Sequence, residues 1–76
     1  MQLDDLLTDE QILTELGRSL SRRRLELPLT QAELAEQAGV AKRTVERLEA
    51  GATTQVSTLI RVLRVLNLLN CLDGLW

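Results

Sequence analysis

The chain has 76 residues with a formal net charge of -2, and 45% of them are hydrophobic. This length holds one hydrophobic core, and the hydrophobic fraction excludes a disordered chain. Because Trp76 is the only aromatic residue and the chain is rich in leucine with a single proline, we predict an all-α fold, a compact bundle of about five short helices.

Cellular location follows from the N-terminus, the apolar runs and the lone cysteine. The N-terminus is acidic where a signal peptide is basic, and charges or asparagines interrupt every apolar run, so we expect no export signal and no membrane span. Cys71 has no partner for an internal disulfide, and we expect it to be a small core residue in a reducing cytoplasm.

The first two predicted helices each begin with a capping box, in which a Thr and the Glu or Gln three residues later cap each other. Thr8 with Gln11 predicts a first helix from Asp9 that ends before Pro28. Thr30 with Glu33 predicts a second helix that stops at Gly39, since glycine suits the left-handed stop position.

Three more helices are predicted downstream. The third covers about 41–50, with Val45 and Leu48 buried and Gly51 as its stop. Ser57 is expected to cap the fourth, and Asn67 to end it. The fifth, about 68–75, is expected to present apolar residues on one side. We therefore divide the chain into an acidic N-terminal segment, 1–8, and one domain, 9–76.

Charge is segregated along the chain. Residues 1–15 contain five acids and no cation, whereas residues 16–64 contain all nine cations and five acids, a balance of +4. An acidic total is therefore compatible with one basic face.

The unit at about 30–50 is predicted to be a helix-turn-helix. Ala35 is small enough for the two helices to cross closely, and Gly39 takes the turn. With Val45 and Leu48 facing inward, the cations of the second helix of this unit project together from the exposed side; these are Lys42, Arg43 and Arg47. Arg can bind guanine with two hydrogen bonds, and Arg and Lys both bind phosphate.

The stretches LTQAELAEQAGV and RTVERLEAG, followed by a leucine-rich fourth helix, resemble phage repressor and Cro-type helix-turn-helix proteins (the XRE family). The resemblance covers about 16–72 and implies a lambda-repressor-like domain whose third helix enters the major groove. It assigns base contacts to Lys42, Arg43 and Arg47, and phosphate contacts to Gln31 and Thr44. The alternative is that these cations form an ordinary solvated helix face.

The same resemblance implies a largely buried salt bridge between Arg24 and Glu49. Arg24 falls on the apolar side of the first helix, and Glu49 follows core residue Leu48. We expect Arg22 and Arg23 to lie in solvent or to approach phosphate, because successive residues of a helix point in different directions.

The C-terminal apolar residues are open to three interpretations: they cap the monomer core, they form an interface, or they belong to a domain cut from a longer protein. We favour a dimer interface. The candidate residues are Leu68, Leu72, Leu75 and Trp76.

The sequence contains no His, no Tyr and no glycine-rich phosphate loop, so we expect neither an enzyme nor a metal or other cofactor. The expected function is that of a bacterial or phage transcriptional regulator, a repressor that binds double-stranded DNA as a homodimer in the cytoplasm, at the nucleoid. The alternative is an antitoxin that binds a toxin and represses its own operon through the same domain. Polymerase is another candidate partner. A third class, an interaction module without DNA binding, is disfavoured by the three cations.

Overall fold

The structure, a computed structural model, describes residues 5–75, and this range is helical without strands. Its elements are α1 (Asp9–Glu26), α2 (Gln31–Ala38), α3 (Lys42–Glu49), α4 (Val56–Val65) and a 3₁₀ helix (Leu69–Leu75). Trp76 and half of the predicted acidic segment lie outside the described residues. Within residues 5–75 no helix has both the length and the apolar character that crossing a membrane needs.

Both predicted capping boxes are confirmed. The Thr8 hydroxyl accepts from the Gln11 N–H at 3.1 Å while the Gln11 side chain accepts from the Thr8 N–H at 2.7 Å. The corresponding distances for Thr30 and Glu33 are 3.0 and 2.8 Å. The pKa of the Glu33 carboxyl is lowered from its ordinary value of 4.5, mainly by the hydrogen bond from the Thr30 backbone N–H and to a smaller extent by the Thr30 hydroxyl. Because the pKa of Glu33 is lower in the folded state, its ionised carboxylate stabilises the fold. This contribution is present at pH above the unfolded-state pKa and is lost as pH falls through the folded-state pKa.

The predicted C-terminal stops of the helices are also confirmed, whereas one predicted N-terminal cap is not. Gly39, Gly51 and Asn67 have φ of 71°, 91° and 61°, the left-handed conformation predicted for stop positions. The prediction that Ser57 caps α4 is wrong. Gln55 takes the cap position without a side-chain hydrogen bond, and α4 begins at Val56, so Ser57 lies within the first turn.

The core is aliphatic and is shared by the four α-helices. α3 packs against α1 and α2, and α4 packs against α2 and the 3₁₀ helix. The buried apolar side chains are Leu20, Leu34, Ala35, Ala38, Val45, Leu48, Val62, Leu63 and Leu66. α1 crosses α3 at Gly17, where an added Cβ would lie 2.5–2.8 Å from the backbone of Leu48 and Glu49. This close crossing fixes α3 against α1.

The C-terminal segment differs from the prediction. Residues 69–75 form a 3₁₀ helix of seven residues, longer than most, where an α-helix was predicted, and Gly74 lowers α-helix propensity here. Leu68 and Leu72 pack partly against the core instead of sharing an exposed side with Leu75, which is 74% exposed. Cys71 is exposed, so the expectation of a core cysteine is wrong.

Candidate nucleic-acid interface

α2 and α3 are joined by a three-residue turn. The Gly39 N–H donates to the Glu36 carbonyl at 3.2 Å and the Val40 N–H to the Ala35 carbonyl at 3.0 Å, which satisfies the carbonyls at the end of α2. Ala35, 3% exposed, is small enough to let α3 approach. α3 is anchored from beneath by Val45 and Leu48, which are 1% and 3% exposed.

The opposite side of α3 carries the predicted cations. Lys42, Arg43 and Arg47 are all exposed, and none of them has an ion pair or side-chain hydrogen bond among residues 5–75. Two of the three sit in the first turn of α3, which contains no acid and whose N-cap Ala41 makes no side-chain capping bond. This end of a helix has a positive potential that disfavours cations. The arrangement therefore concentrates positive charge at one end of α3 at some cost in stability.

A small polar cavity of about 70 Å³ lies beside this helix. Its lining consists of Thr44, Arg47, Thr53 and Thr54, so it joins α3 to the loop before α4. Three hydroxyls and a guanidinium can all donate hydrogen bonds, which is the chemistry that a phosphate oxygen requires. The sequence had singled out Thr44 and Arg47 for DNA contact, and the structure brings the two loop threonines to them.

Arg24 and Glu49, the predicted salt-bridge partners, lie in contact behind this face. Arg24 Nε donates to Glu49 Oε2 at 2.7 Å and Arg24 Nη2 to Oε1 at 3.2 Å, a bidentate pair whose side chains are 12% and 8% exposed. Arg24 Nη1 also donates to the Leu29 carbonyl at 2.7 Å. One guanidinium therefore links α1, the α1–α2 connection and the end of α3.

The family model for helix-turn-helix proteins matches residues 20–69, which are 50 of the 76 residues and include α2, α3 and α4. The chain belongs to the helix-turn-helix family. The match is to the XRE type, whose domain is a DNA-binding regulatory domain, and the chain is accordingly a DNA-binding regulator.

Gln31 occupies the first position of α2 in this helix-turn-helix unit, and its surroundings were not foreseen. Its Nε2 donates to Glu49 Oε1 at 3.0 Å, so the carboxylate that binds Arg24 also binds Gln31. The two residues are 18 positions apart, and no local pattern in the sequence predicts their contact. Gln31 as a residue is half-buried.

Arg23 was expected in solvent or near phosphate, and the structure places it elsewhere. Its Nε donates to the Leu66 carbonyl at 2.9 Å and its Nη1 lies 3.4 Å from Glu26 Oε1. Arg23 thereby caps the C-terminal end of α4, because the Leu66 carbonyl is one of those that a helix leaves without an internal partner. Arg22 is exposed, as expected.

Proposed function

We propose that this DNA-binding regulator is a sequence-specific transcriptional repressor that binds double-stranded DNA as a homodimer. It would block transcription by covering an inverted-repeat operator, working at the nucleoid in the cytoplasm without a cofactor. In this proposal α3 enters the major groove, which is how recognition helices of helix-turn-helix proteins dock.

The cations of α3, which have no ion-pair partner in the described part of the chain, are the observation that carries the proposal. If this were an ordinary solvated face, acidic residues would be favoured in the first turn, because the N-terminal end of a helix has a positive potential. The first turn of α3 instead contains two cations and no acid. Departures from local stability rules concentrate at functional sites. Lys42, Arg43 and Arg47 are therefore better explained as groups that meet DNA.

We assign the polar groups around α3 to the DNA backbone. Gln31 lies at the start of α2, and Thr44 lines the small cavity with Thr53 and Thr54. Contacts of this kind fix the position of a protein on the duplex and carry no sequence information. In this proposal the cations read the bases, and Arg47, which also lines the cavity, contacts either a base edge or a phosphate bound there.

Selection of bound duplexes from a random pool tests the function. We expect an enriched inverted repeat whose half-site centres are about one helical turn apart, roughly 34 Å. The logarithm of the binding constant should fall with the logarithm of salt concentration, with a slope of about -0.9 for each neutralised phosphate. Enrichment of no sequence would contradict a sequence-specific regulator.

Base reading predicts distinct effects for two kinds of substitution. Arg43→Ala or Arg47→Ala should weaken binding to the selected site by about 1–3 kcal/mol and relax discrimination at one base pair. Gln31→Ala should weaken binding to all duplexes alike. Fluorescence anisotropy with a panel of single-base variants of the site measures both effects. If both arginine variants keep full affinity and discrimination, the assigned recognition face is wrong.

Dimerisation is proposed because one recognition helix reads only a few base pairs. The 3₁₀ helix offers an apolar surface away from α3, since Leu75 is exposed and Leu68 and Leu72 border an apolar groove of about 420 Å³ between α1, α4 and the 3₁₀ helix. Leu72 also packs on the core, so a charge there would disturb the fold as well as an interface. Leu75 is the better position to test.

Leu75→Asp should convert a dimer into a monomer without unfolding it, because this side chain makes little contact within its own chain. Sedimentation equilibrium at micromolar concentration measures the mass, and circular dichroism checks the helices. Leu25→Asp is the matched control, since Leu25 is also a largely exposed leucine, 60% accessible, but lies on α1. A wild-type chain that stays monomeric even on the selected duplex would contradict the dimer.

An antitoxin role is the second candidate, and the same groove favours it. Within the described range 5–75, the groove is lined by residues of α1, α4, the 3₁₀ helix and the residue before it, so a protein partner bound there would leave α3 free for DNA. Coexpression with the product of a neighbouring gene distinguishes the two roles. A stable complex that relieves growth arrest would indicate an antitoxin, whereas repression by the chain alone without such a partner would indicate a simple repressor.

A further inference from the structure

We infer that Glu49 is a positioning residue for DNA binding, which holds the Gln31 side chain ready for a backbone phosphate. This inference rests on the proposed function, because it gives Glu49 a role in the affinity for DNA. The salt bridge with Arg24 alone would give Glu49 only a role in folding.

The hydrogen bonds around Glu49 carry the inference. Glu49 Oε1 accepts from Gln31 Nε2 at 3.0 Å and from Arg24 Nη2 at 3.2 Å, while Oε2 accepts from Arg24 Nε at 2.7 Å. An ionised carboxylate only accepts hydrogen bonds, so it selects the amide orientation in which nitrogen faces Glu49. That nitrogen makes no other hydrogen bond among residues 5–75, and we assign its second hydrogen to a phosphate oxygen.

Ordering of Gln31 before DNA arrives would raise affinity. A free glutamine side chain has several rotatable bonds, and freezing them on binding opposes association. Glu49 is itself held by two hydrogen bonds from Arg24, with a side chain 8% exposed, so it is a rigid support. Arg24 also holds the Leu29 carbonyl at 2.7 Å, two residues before Gln31. The network therefore fixes the start of α2 relative to α3, the helix assigned to the bases.

A double-mutant cycle separates this role from folding. Gln31→Ala is measured in the wild-type background and in Arg24→Met/Glu49→Met, where both charges are replaced together so that no buried charge is left unpaired. Affinity for the selected duplex is measured by anisotropy at a temperature where circular dichroism shows every variant to be folded. If the double variant does not fold, Glu49→Gln, which keeps the shape but can present an amide nitrogen to Gln31, replaces it.

The expected result is non-additivity. Gln31→Ala should weaken binding about tenfold in the wild-type background, the range for a hydrogen bond to a charged group, and less than about twofold without Glu49. The salt dependence should be unchanged, because Gln31 is neutral and releases no counterion.

The matched control is Arg22→Met/Glu46→Met, which removes one charge of each sign from exposed positions of the same two helices, α1 and α3. Gln31→Ala should keep its full effect there. An equal loss of affinity in the wild-type and Glu49-free backgrounds would overturn the positioning role, as would a Gln31→Ala variant with wild-type affinity. Failure of the wild-type chain to bind any duplex at low salt would instead overturn the proposed function itself.

Discussion

Arg24→Met should lower the free energy of unfolding by about 3–5 kcal/mol, the usual cost of removing one partner from a buried ion pair. Glu49 would keep its charge in a site where its side chain is 8% exposed, and among residues 5–75 the Gln31 amide would be its one remaining side-chain partner. The Leu29 carbonyl would lose its guanidinium donor as well. Urea titration followed by circular dichroism gives the free energy of unfolding for each variant.

Two comparisons make this prediction specific. Arg22→Met, two residues away on an exposed position of α1, should change the free energy of unfolding by less than about 0.5 kcal/mol. Arg24→Met/Glu49→Met should recover much of the loss, because no charge is then left unpaired. Equal unfolding midpoints for Arg24→Met and Arg22→Met would show that the ion pair does not stabilise the domain.

Gly17→Ala should destabilise the domain by about 3 kcal/mol, although alanine has the higher helix propensity. The added Cβ would lie 2.5 Å from the Glu49 carbonyl oxygen and 2.7 Å from that of Leu48, and both atoms belong to the backbone of α3. A backbone cannot rotate away as a side chain can, so α1 and α3 would have to separate. That separation would also stretch the hydrogen bonds between Arg24 and Glu49, which span the same two helices.

Gly74→Ala is the matched control for Gly17→Ala. A Cβ at Gly74 would meet no heavy atom within 4 Å, so we expect no loss of stability there. Thermal unfolding under identical conditions compares the two variants. If the crossing of α1 and α3 were loose, Gly17→Ala would instead stabilise the domain by up to about 1 kcal/mol through helix propensity. The sign of the change therefore decides whether the close crossing is real.

The features that the sequence predicted well are those set by neighbouring residues. The capping boxes of Thr8 and Thr30 depend on a residue three positions later, and the left-handed stops at Gly39 and Asn67 depend on that residue alone. The family resemblance added the contact of Arg24 with Glu49, which has no local signal. The alternation of apolar and charged residues in α3 was enough to separate its buried side from its exposed side.

The remaining features depend on tertiary packing. Gln31 contacts Glu49 only because the N-terminal end of α2 lies beside the C-terminal end of α3. Arg23 on α1 reaches the Leu66 carbonyl at the end of α4. The apolar run after Asn67 predicted an α-helix, but the segment forms a 3₁₀ helix that leaves Cys71 exposed. Ser57 is a residue type that favours caps, yet α4 begins at Val56, and Gln55 takes the cap position in an extended conformation.

The ratio of affinities for the selected duplex and for an unrelated duplex of equal length and composition tests the central claim most directly. At one fixed salt concentration near physiological, a sequence-specific regulator should prefer its site by about 10³-fold or more. Arg43→Ala should reduce that ratio while leaving affinity for the unrelated duplex within a few-fold of wild type, since a base contact discriminates between sequences and a phosphate contact does not. A wild-type ratio near one, unchanged in Arg43→Ala, would contradict base reading by α3.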